Sequence, residues 1–131
     1  MVEGGWKTKI KEGNMQHQFE TLKVWQEAIR LAKDVYQITK TLPKVELYGI
    51  TSQLRRAVVS ISSNIAEGKG RYHKKEYVQF LYIARGSVYE TMSLIHLALS
   101  LEYLTSKQSQ TLLEHLSQIA AMLNGLINSL L

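Results

Sequence analysis

The sequence predicts an all-α fold, an antiparallel up-down four-helix bundle. Apolar residues recur at three- and four-residue steps after residue 19, only one proline and eight glycines interrupt the 131 residues, and the segments between periodic stretches are short. Steps of three and four residues place side chains on one face of a helix. Short connections between helices of similar length require antiparallel neighbours. A chain of this length suits one domain with a buried core.

The first predicted helix runs from Phe19 to Leu42, because Pro43 disfavours helical geometry in the residue before it. Its predicted apolar face is Leu22, Trp25, Ala28 or Ile29, Ala32, Val35 or Tyr36, Thr39 and Leu42. Residues 1–18 show no apolar period, so we predict a flexible leader ahead of a bundle domain at 19–131. Met15 is a second candidate start site, and Trp6 is the leader residue that would dock.

The second helix is predicted to begin between Lys44 and Thr51 and to end at Gly68. Either Gly68 or Gly70 would supply a left-handed cap, since glycine adopts that conformation without steric cost. The predicted apolar face is Ile50, Leu54, Ala57 or Val58, Ile61 and Ile65.

The third helix is predicted from about His73 to Leu104. An interior glycine costs about 1 kcal/mol relative to alanine, so Gly86 indicates a tight helix contact. Three large residues off the main stripe indicate a buried central helix or a subunit contact: Tyr82, Ile83 and Tyr89. Thr105 and Gln108 have the spacing of a capping box, which starts the fourth helix.

Composition and spacing exclude several classes of protein. The absence of cysteine excludes disulfides and thiolate metal sites. No apolar run approaches the ~18–20 residues that span a bilayer, and the N-terminal residues lack the apolar stretch of a secretion signal, so we expect a cytoplasmic protein without membrane contact. The four histidines lack helical metal-site spacing, and no carboxylate pair has motif spacing. We expect no metal, no cofactor and no enzymatic activity. The alternative is an enzyme that uses Asn64, Glu67 and Arg71 around a small ligand.

Positive charge is concentrated in one stretch of the sequence. The net charge is +5, and residues 55–75 carry six cations and one anion, Glu67, which equals the whole excess. The six cations are the candidate nucleic-acid-binding residues: Arg55, Arg56, Lys69, Arg71, Lys74 and Lys75. Such a stretch attracts phosphate or acidic protein, although a solvated helix end has the same composition. Tyr72 and Tyr77 lie near these cations and could stack on bases, while core packing also accounts for Tyr77.

The second helix is more polar than a plain bundle requires. The residues of this polar seam, with a candidate partner on the third helix, are Gln53, Ser60, Asn64, Glu67 and Glu90. In one interpretation the seam fixes the hinge between the second and third helices, with Glu67 paired to Arg71 or to turn amides and Arg56 paired to Glu90. In the other it lines a subunit interface or binds a ligand. Both interpretations can hold in an oligomer.

Four stretches of the chain resemble a known family. They read Phe19-Glu20-x-Leu22-x-Val24-Trp25, Leu42-Pro43-x-x-Glu46-x-Tyr48-Gly49-Ile50-Thr51-x-Gln53-Leu54-Arg55-Arg56-Ala57, Ser60-Ile61-x-x-Asn64-Ile65-Ala66-Glu67-Gly68-x-x-Arg71 and Phe80-Leu81-x-x-Ala84-x-Gly86-Ser87-x-x-Glu90. The pattern is similar to the four-helix-bundle family encoded in 23S rRNA intervening sequences. The resemblance implies a homopentameric barrel of bundles with no known enzymatic activity. Distant relatives include accessory proteins of diversity-generating retroelements, which bind nucleic acid and a reverse transcriptase through a basic surface.

We therefore expect a homopentameric accessory protein that binds RNA or DNA through the basic hinge, by phosphate contacts that do not read sequence. Five copies would carry about 25 excess positive charges, which favours multivalent contact. The alternative is a protein–protein adaptor or scaffold, for example for a reverse transcriptase, without direct nucleic-acid binding.

Overall fold

The structure, a computed structural model, describes residues 18–131. Within these residues lie four α-helices and no strand: α1 Lys23–Thr39, α2 Ile50–Lys69, α3 Lys74–Ser100 and α4 Ser106–Leu130. Short 3-10 helices, Phe19–Thr21 and Lys44–Glu46, precede α1 and α2. The predicted leader, apart from its last residue, lies outside the described residues, as do Trp6 and Met15.

The four helices pack as consecutive antiparallel neighbours. The most extensive contact joins α2 and α3, the α3–α4 and α1–α2 contacts follow, and a smaller α1–α4 contact closes the bundle. The α2–α3 connection, residues 70–73, therefore lies at one end of the bundle, and the other two connections lie at the opposite end. We call these the hinge end and the distal end. Among the described residues, none of the helices is long and apolar enough to cross a membrane.

The core confirms the apolar face predicted for α2 and most of the face predicted for α1. All the predicted α2 positions are buried, including Leu54, Val58, Ile61 and Ile65 with no exposed surface. In α1 the predicted Ala28, Val35 and Thr39 are buried. Val24 and Leu31, which the prediction leaves out, are buried too, and the alternatives Ile29 and Tyr36 are exposed. The α1 sequence carries two overlapping apolar stripes, and only its packing on α2 and α4 selects the one that includes Val24 and Leu31.

The helix ends follow hydrogen bonding more closely than residue type. α1 ends at Thr39, three residues before the predicted end. The next three amides bond carbonyls three residues back, as in a 3-10 helix, and not four residues back as in an α-helix. The predicted left-handed glycine cap is wrong: Gly70 has φ −79°, and no described glycine has positive φ. The amides of Gly70 and Arg71 instead close α2 by bonding the carbonyls of Ala66 and Gly68, at 3.2 and 3.0 Å.

A left-handed cap does occur at the end of α3, on a residue other than glycine. Glu102 has φ 64°, the Glu102 amide bonds the Leu99 carbonyl, and the Tyr103 amide bonds the Ala98 carbonyl. This is a Schellman motif, and it stops α3 at Ser100, before the predicted Leu104. The predicted capping box of α4 is confirmed, since Thr105 and Gln108 each accept from the other's backbone amide.

The outer face of α3 differs from the prediction. A Cβ added at Gly86 would meet nothing within 4 Å, so this glycine does not mark a tight contact inside the chain. Tyr82, Ile83 and Tyr89 are also exposed, and α3 is not a central buried helix. The explanation by a buried central helix is therefore wrong, and a subunit contact stays a prediction.

Candidate nucleic-acid interface

The hinge end is fixed by close packing of α2 on α3. Gly68 is buried at the end of α2, and a Cβ there would lie 2.7 Å from Cβ of Phe80 and 3.0 Å from Cδ1 of Tyr77. Any larger side chain at Gly68 would push the two helices apart. The glycine in the Asn64–Gly68 run is thus required by helix approach, and it sets the position of the segment that follows.

Two hinge cations lie over aromatic rings of α3. Nζ of Lys69 is 5.7 Å from the centroid of the Tyr77 ring, and the guanidinium carbon of Arg71 is 4.6 Å from the centroid of the Phe80 ring. Both distances are within the range of cation–π attraction. The rings limit the motion of each charged group without neutralising it, so the charges stay available to a ligand.

Lys74 and Lys75 form the start of α3 and are exposed. Cations at a helix N-terminus face the positive end of the helix dipole, which disfavours them by about 0.3–1 kcal/mol each. The side chain of His73, at the N-cap position, makes no capping hydrogen bond to a described residue, and the acidic residue of the first turn is Glu76. The two lysines also line a groove of about 310 Å³ with Val78, Tyr82 and Leu130. Their position costs helix stability and concentrates positive potential beside the hinge.

Tyr72 occupies the middle of the hinge and is 94% exposed. Its ring meets the neighbouring His73 ring edge to face, with centroids 4.9 Å apart. Tyr77, by contrast, is buried, its hydroxyl has no hydrogen-bond partner among the described residues, and burial raises its pKa. Tyr77 is therefore a packing residue, and Tyr72 is the hinge aromatic whose ring is open to solvent.

Arg55 and Arg56 are not part of the hinge cluster. Arg55 and Lys69 are fourteen positions apart on α2, which is about 21 Å along the helix at 1.5 Å per residue. Arg55 donates from Nε to Oγ1 of Thr39 at 3.0 Å and lies over the Tyr36 ring, with 4.8 Å from the guanidinium carbon to the centroid. Arg55 thus ties α2 to α1. Arg56 is exposed nearer the distal end and makes no hydrogen bond to a described residue.

Only the middle of the polar seam makes side-chain hydrogen bonds to described residues. Asn64 donates to the carbonyl and hydroxyl of Ser60 at 2.8 and 2.9 Å, and Ser87 donates to the Ser60 hydroxyl at 2.8 Å. This small network joins α2 to α3. The other seam residues are exposed, and their side chains make no hydrogen bond or ion pair to a described residue: Gln53, Glu67 and Glu90.

The predicted ion pairs of the seam do not form. Ser60 is level with Ser87, and antiparallel packing therefore brings Arg56 level with Glu90, yet the two do not pair. Glu67 does not pair with Arg71 either. Within residues 18–131 the ion pairs are those of Glu27 with Arg30 and with His115. The hinge is therefore held by the Gly68 contact and backbone bonds, and its four cations have no carboxylate partner among the described residues.

Several cross-helix bonds gave no signal in the sequence. Arg85 on α3 donates to Oδ1 of Asn124 on α4 at 2.9 Å, and Nε2 of His115 lies 2.8 Å from Oε1 of Glu27. Each pair joins residues 39 or 88 positions apart, so spacing rules within one helix cannot find them. Among the described residues no group of three or more His, Asp or Glu side chains is arranged to hold a metal.

The fold and the hinge define a class: a small four-helix-bundle protein whose basic residues gather at one helix connection. The chain belongs to the family of 23S rRNA-intervening sequence proteins, whose family model matches residues 20–125. A solved structure from Bacteroides thetaiotaomicron, described as a protein with unknown function from the S23 ribosomal protein family, has the same fold, with a TM-score of 0.75 at 23% identity. The match covers 79% of this chain and 97% of that one. Among curated proteins none matches this chain.

Proposed function

We propose that this protein is a non-enzymatic, homo-oligomeric cytoplasmic accessory protein that binds nucleic acid through its hinge. The observation that carries the proposal is the cluster of four cations, Lys69, Arg71, Lys74 and Lys75, without a carboxylate partner among the described residues. Contacts of this kind neutralise phosphates and release counterions, and they do not read sequence. We leave Arg55 and Arg56, which were predicted to share this surface, out of the proposal, because about 21 Å of helix separates Arg55 from Lys69.

The energetics of the hinge also support a phosphate ligand. Lys74 and Lys75 oppose the dipole of α3, so their charge is not explained by helix stability. An approaching phosphate would relieve this repulsion and would also meet the positive helix end. The aromatic rings beneath Lys69 and Arg71 hold those cations near their binding positions, which lowers the entropic cost of association.

The test is binding of labelled RNA and DNA measured against salt concentration. We expect affinity to fall linearly on logarithmic axes, with a slope near −0.7 for each phosphate contacted on a single strand. Reversing the four hinge cations to Glu should abolish binding while leaving the helical circular dichroism intact. The pair Lys74→Glu and Lys75→Glu, which removes no aromatic contact, is a second variant that keeps the fold.

The matched control reverses four exposed lysines away from the hinge: Lys33, Lys40, Lys44 and Lys107. Both quadruple variants change the net charge equally. If binding depends on the hinge, the control retains much more affinity than the hinge variant. Equal losses, or binding by the wild type that is absent at low salt or indifferent to salt, would reject the proposal.

Self-association is the second part of the proposal, and the outer face of α3 supports it. Ile83 and Leu97 are exposed there, and Gly86 lies between them with open space above it. Arg56 and Glu90 border this face, and their side chains have no hydrogen-bond or ion-pair partner among residues 18–131. Exposed apolar residues beside unpaired opposite charges favour contact with a second copy. Light scattering coupled to gel filtration should give a pentamer, and Ile83→Glu should reduce the mass of the particle. A wild-type monomer would remove the multivalency on which avid binding depends.

A protein–protein adaptor is the alternative, and the distal end favours it. Val45 and Tyr48 are 85% and 93% exposed in the α1–α2 connection, and Leu47 beside them is about half exposed. Apolar side chains on a loop fit a protein partner better than a phosphate backbone. Co-purification with a purified reverse transcriptase, compared between wild type and the variant Val45→Ser with Tyr48→Ser, would distinguish the two. If the hinge variant loses nucleic-acid binding and the Val45→Ser, Tyr48→Ser variant keeps it, the protein binds nucleic acid directly.

A further inference from the structure

The exposed ring of Tyr72 is unexplained by folding. It is the most exposed of the large apolar and aromatic side chains that the structure describes, at 94%, and its one ring contact is the edge-to-face contact with His73. A side chain so exposed contributes almost no apolar burial to the fold. The backbone just before Tyr72 is nevertheless held in place, because the Gly70 and Arg71 amides donate to carbonyls at the end of α2.

The other two aromatic rings of the hinge cannot receive a ligand on the face that their cations cover. The Phe80 ring is covered by the Arg71 guanidinium, and the Tyr77 ring is buried and faces Lys69. Tyr72 is thus the hinge ring with open faces, and it directly follows Arg71 and precedes Lys74 by two residues. A flat aromatic face set between cations is the arrangement that single-strand binders use, with the cations on the backbone and the ring against a base.

We infer that the hinge takes single-stranded nucleic acid, with Tyr72 stacked on an unpaired base and the four hinge cations on the flanking phosphates. This inference rests on the proposed function and narrows its substrate class. The bases of a duplex are already stacked on their neighbours, so a protruding ring finds a free base face only in single strands, loops, bulges and ends. Because every base has a π-face, stacking on Tyr72 tolerates any sequence.

The experiment compares three ligands of about 12 nucleotides: a single strand, a duplex and an abasic single strand, each as DNA, with the first two also as RNA. The abasic strand keeps the phosphates and lacks the bases. Fluorescence anisotropy at one low salt concentration gives each affinity for the wild type, Tyr72→Ala and Tyr72→Phe. Tyr48→Ala is the matched control, since Tyr48 is 93% exposed at the distal end.

We expect Tyr72→Ala to weaken single-strand binding by roughly 5- to 150-fold, the range for loss of one stacked base. Tyr72→Phe should keep the affinity, since the ring and not the hydroxyl stacks. Abasic and duplex affinities should be the same for wild type and Tyr72→Ala, and Tyr48→Ala should bind like the wild type. The salt slope of Tyr72→Ala should match that of the wild type, because no charge is removed.

The outcomes separate the two hypotheses. If the wild type binds no nucleic acid, the proposed function fails and this inference fails with it. If the wild type binds and the hinge-cation variant does not, but Tyr72→Ala binds single strands as the wild type does, only the stacking inference is overturned. An equal loss in Tyr72→Ala for abasic and normal strands would also overturn it, since the lost contact would not involve a base.

Discussion

Tyr103 and Glu46 join two of the chain connections at the distal end. The Tyr103 hydroxyl donates a 2.8 Å hydrogen bond to Oε2 of Glu46, and Oε1 of the same carboxylate accepts a longer bond, 3.4 Å, from the amide of Ile50. A Cβ at Gly49 would lie 2.5 Å from Oε1, so glycine leaves room for the carboxylate. One side chain thus caps the start of α2 and ties it to the α3–α4 connection.

Removing this bond should destabilise the bundle at neutral pH. Tyr103→Phe and Glu46→Ala should each lower the thermal midpoint, and the double variant should lose less than the sum, because both changes remove the same hydrogen bond. The Glu46 hydrogen bond, with burial and the carboxylate charge, raises the pKa of Tyr103 above its ordinary value. A raised pKa means that the contribution is present below about pH 10 and is lost as the pH rises through the folded-state pKa. The thermal midpoints of wild type and Tyr103→Phe should therefore become equal in strong alkali. If the losses in the double variant are additive, the two residues do not share the bond.

Gly68 and Gly125 should respond in opposite ways to the same substitution. Gly68→Ala places a Cβ 2.7 Å from Cβ of Phe80, so we expect a loss of about 1–3 kcal/mol in the free energy of unfolding. Gly125→Ala meets nothing within 4 Å on α4, and alanine is the better helix former, so we expect a gain of about 0.5–1 kcal/mol. Urea unfolding measures both. A neutral Gly68→Ala would show that α2 and α3 separate easily at the hinge.

Replacing Arg55 should destabilise the bundle, whereas replacing the neighbouring Arg56 should not. Arg55→Ala removes the bond to Thr39 and the contact with the Tyr36 ring, so the free energy of unfolding should fall by about 1–2 kcal/mol. Arg56→Ala should leave the unfolding of the isolated subunit nearly unchanged, because Arg56 contacts no described partner by hydrogen bond or ion pair. Neither should change the affinity for nucleic acid as much as Arg71→Ala. A larger effect of Arg56 on nucleic-acid binding would place a second contact on α2.

Glu27 should give the bundle an acid-sensitive contact between α1 and α4. Burial raises the pKa of Glu27, but the hydrogen bond from His115 and the charge and hydrogen bond of Arg30 outweigh it, and the net pKa lies below the ordinary value. A lowered pKa contributes stability above the unfolded pKa of about 4.5, and this stability is lost as the pH falls through the folded pKa. Urea midpoints measured downward from pH 7 should fall less steeply for Glu27→Gln than for wild type. Asp34→Asn, exposed on the same helix, is the control and should keep the wild-type slope.

Much of the fold could be predicted because its signals are local. The apolar face of α2, the capping box at Thr105 and the start of α3 depend on residues within one or two turns of each other. The end of α3 was missed because its left-handed residue is Glu102, where the sequence offers no glycine. Gly86 was misread because a helical glycine has the same sequence signature in a tight contact and on an open face.

The sequence by itself determined the helical class, the order of the helices and the excess of positive charge between residues 55 and 75. Periodicity and composition are properties of neighbouring residues, so they can be read from the sequence without the tertiary contacts. Only the tertiary structure decided which of those charges lie at the same end of the bundle. About 21 Å of helix separates Arg55 from Lys69, and Arg55 lies over the ring of Tyr36 on α1. The other four cations lie within residues 69–75, beside the close approach of α2 and α3 at Gly68. The net charge of a segment can be summed from its sequence, whereas a binding surface depends on the distances between side chains in the folded protein.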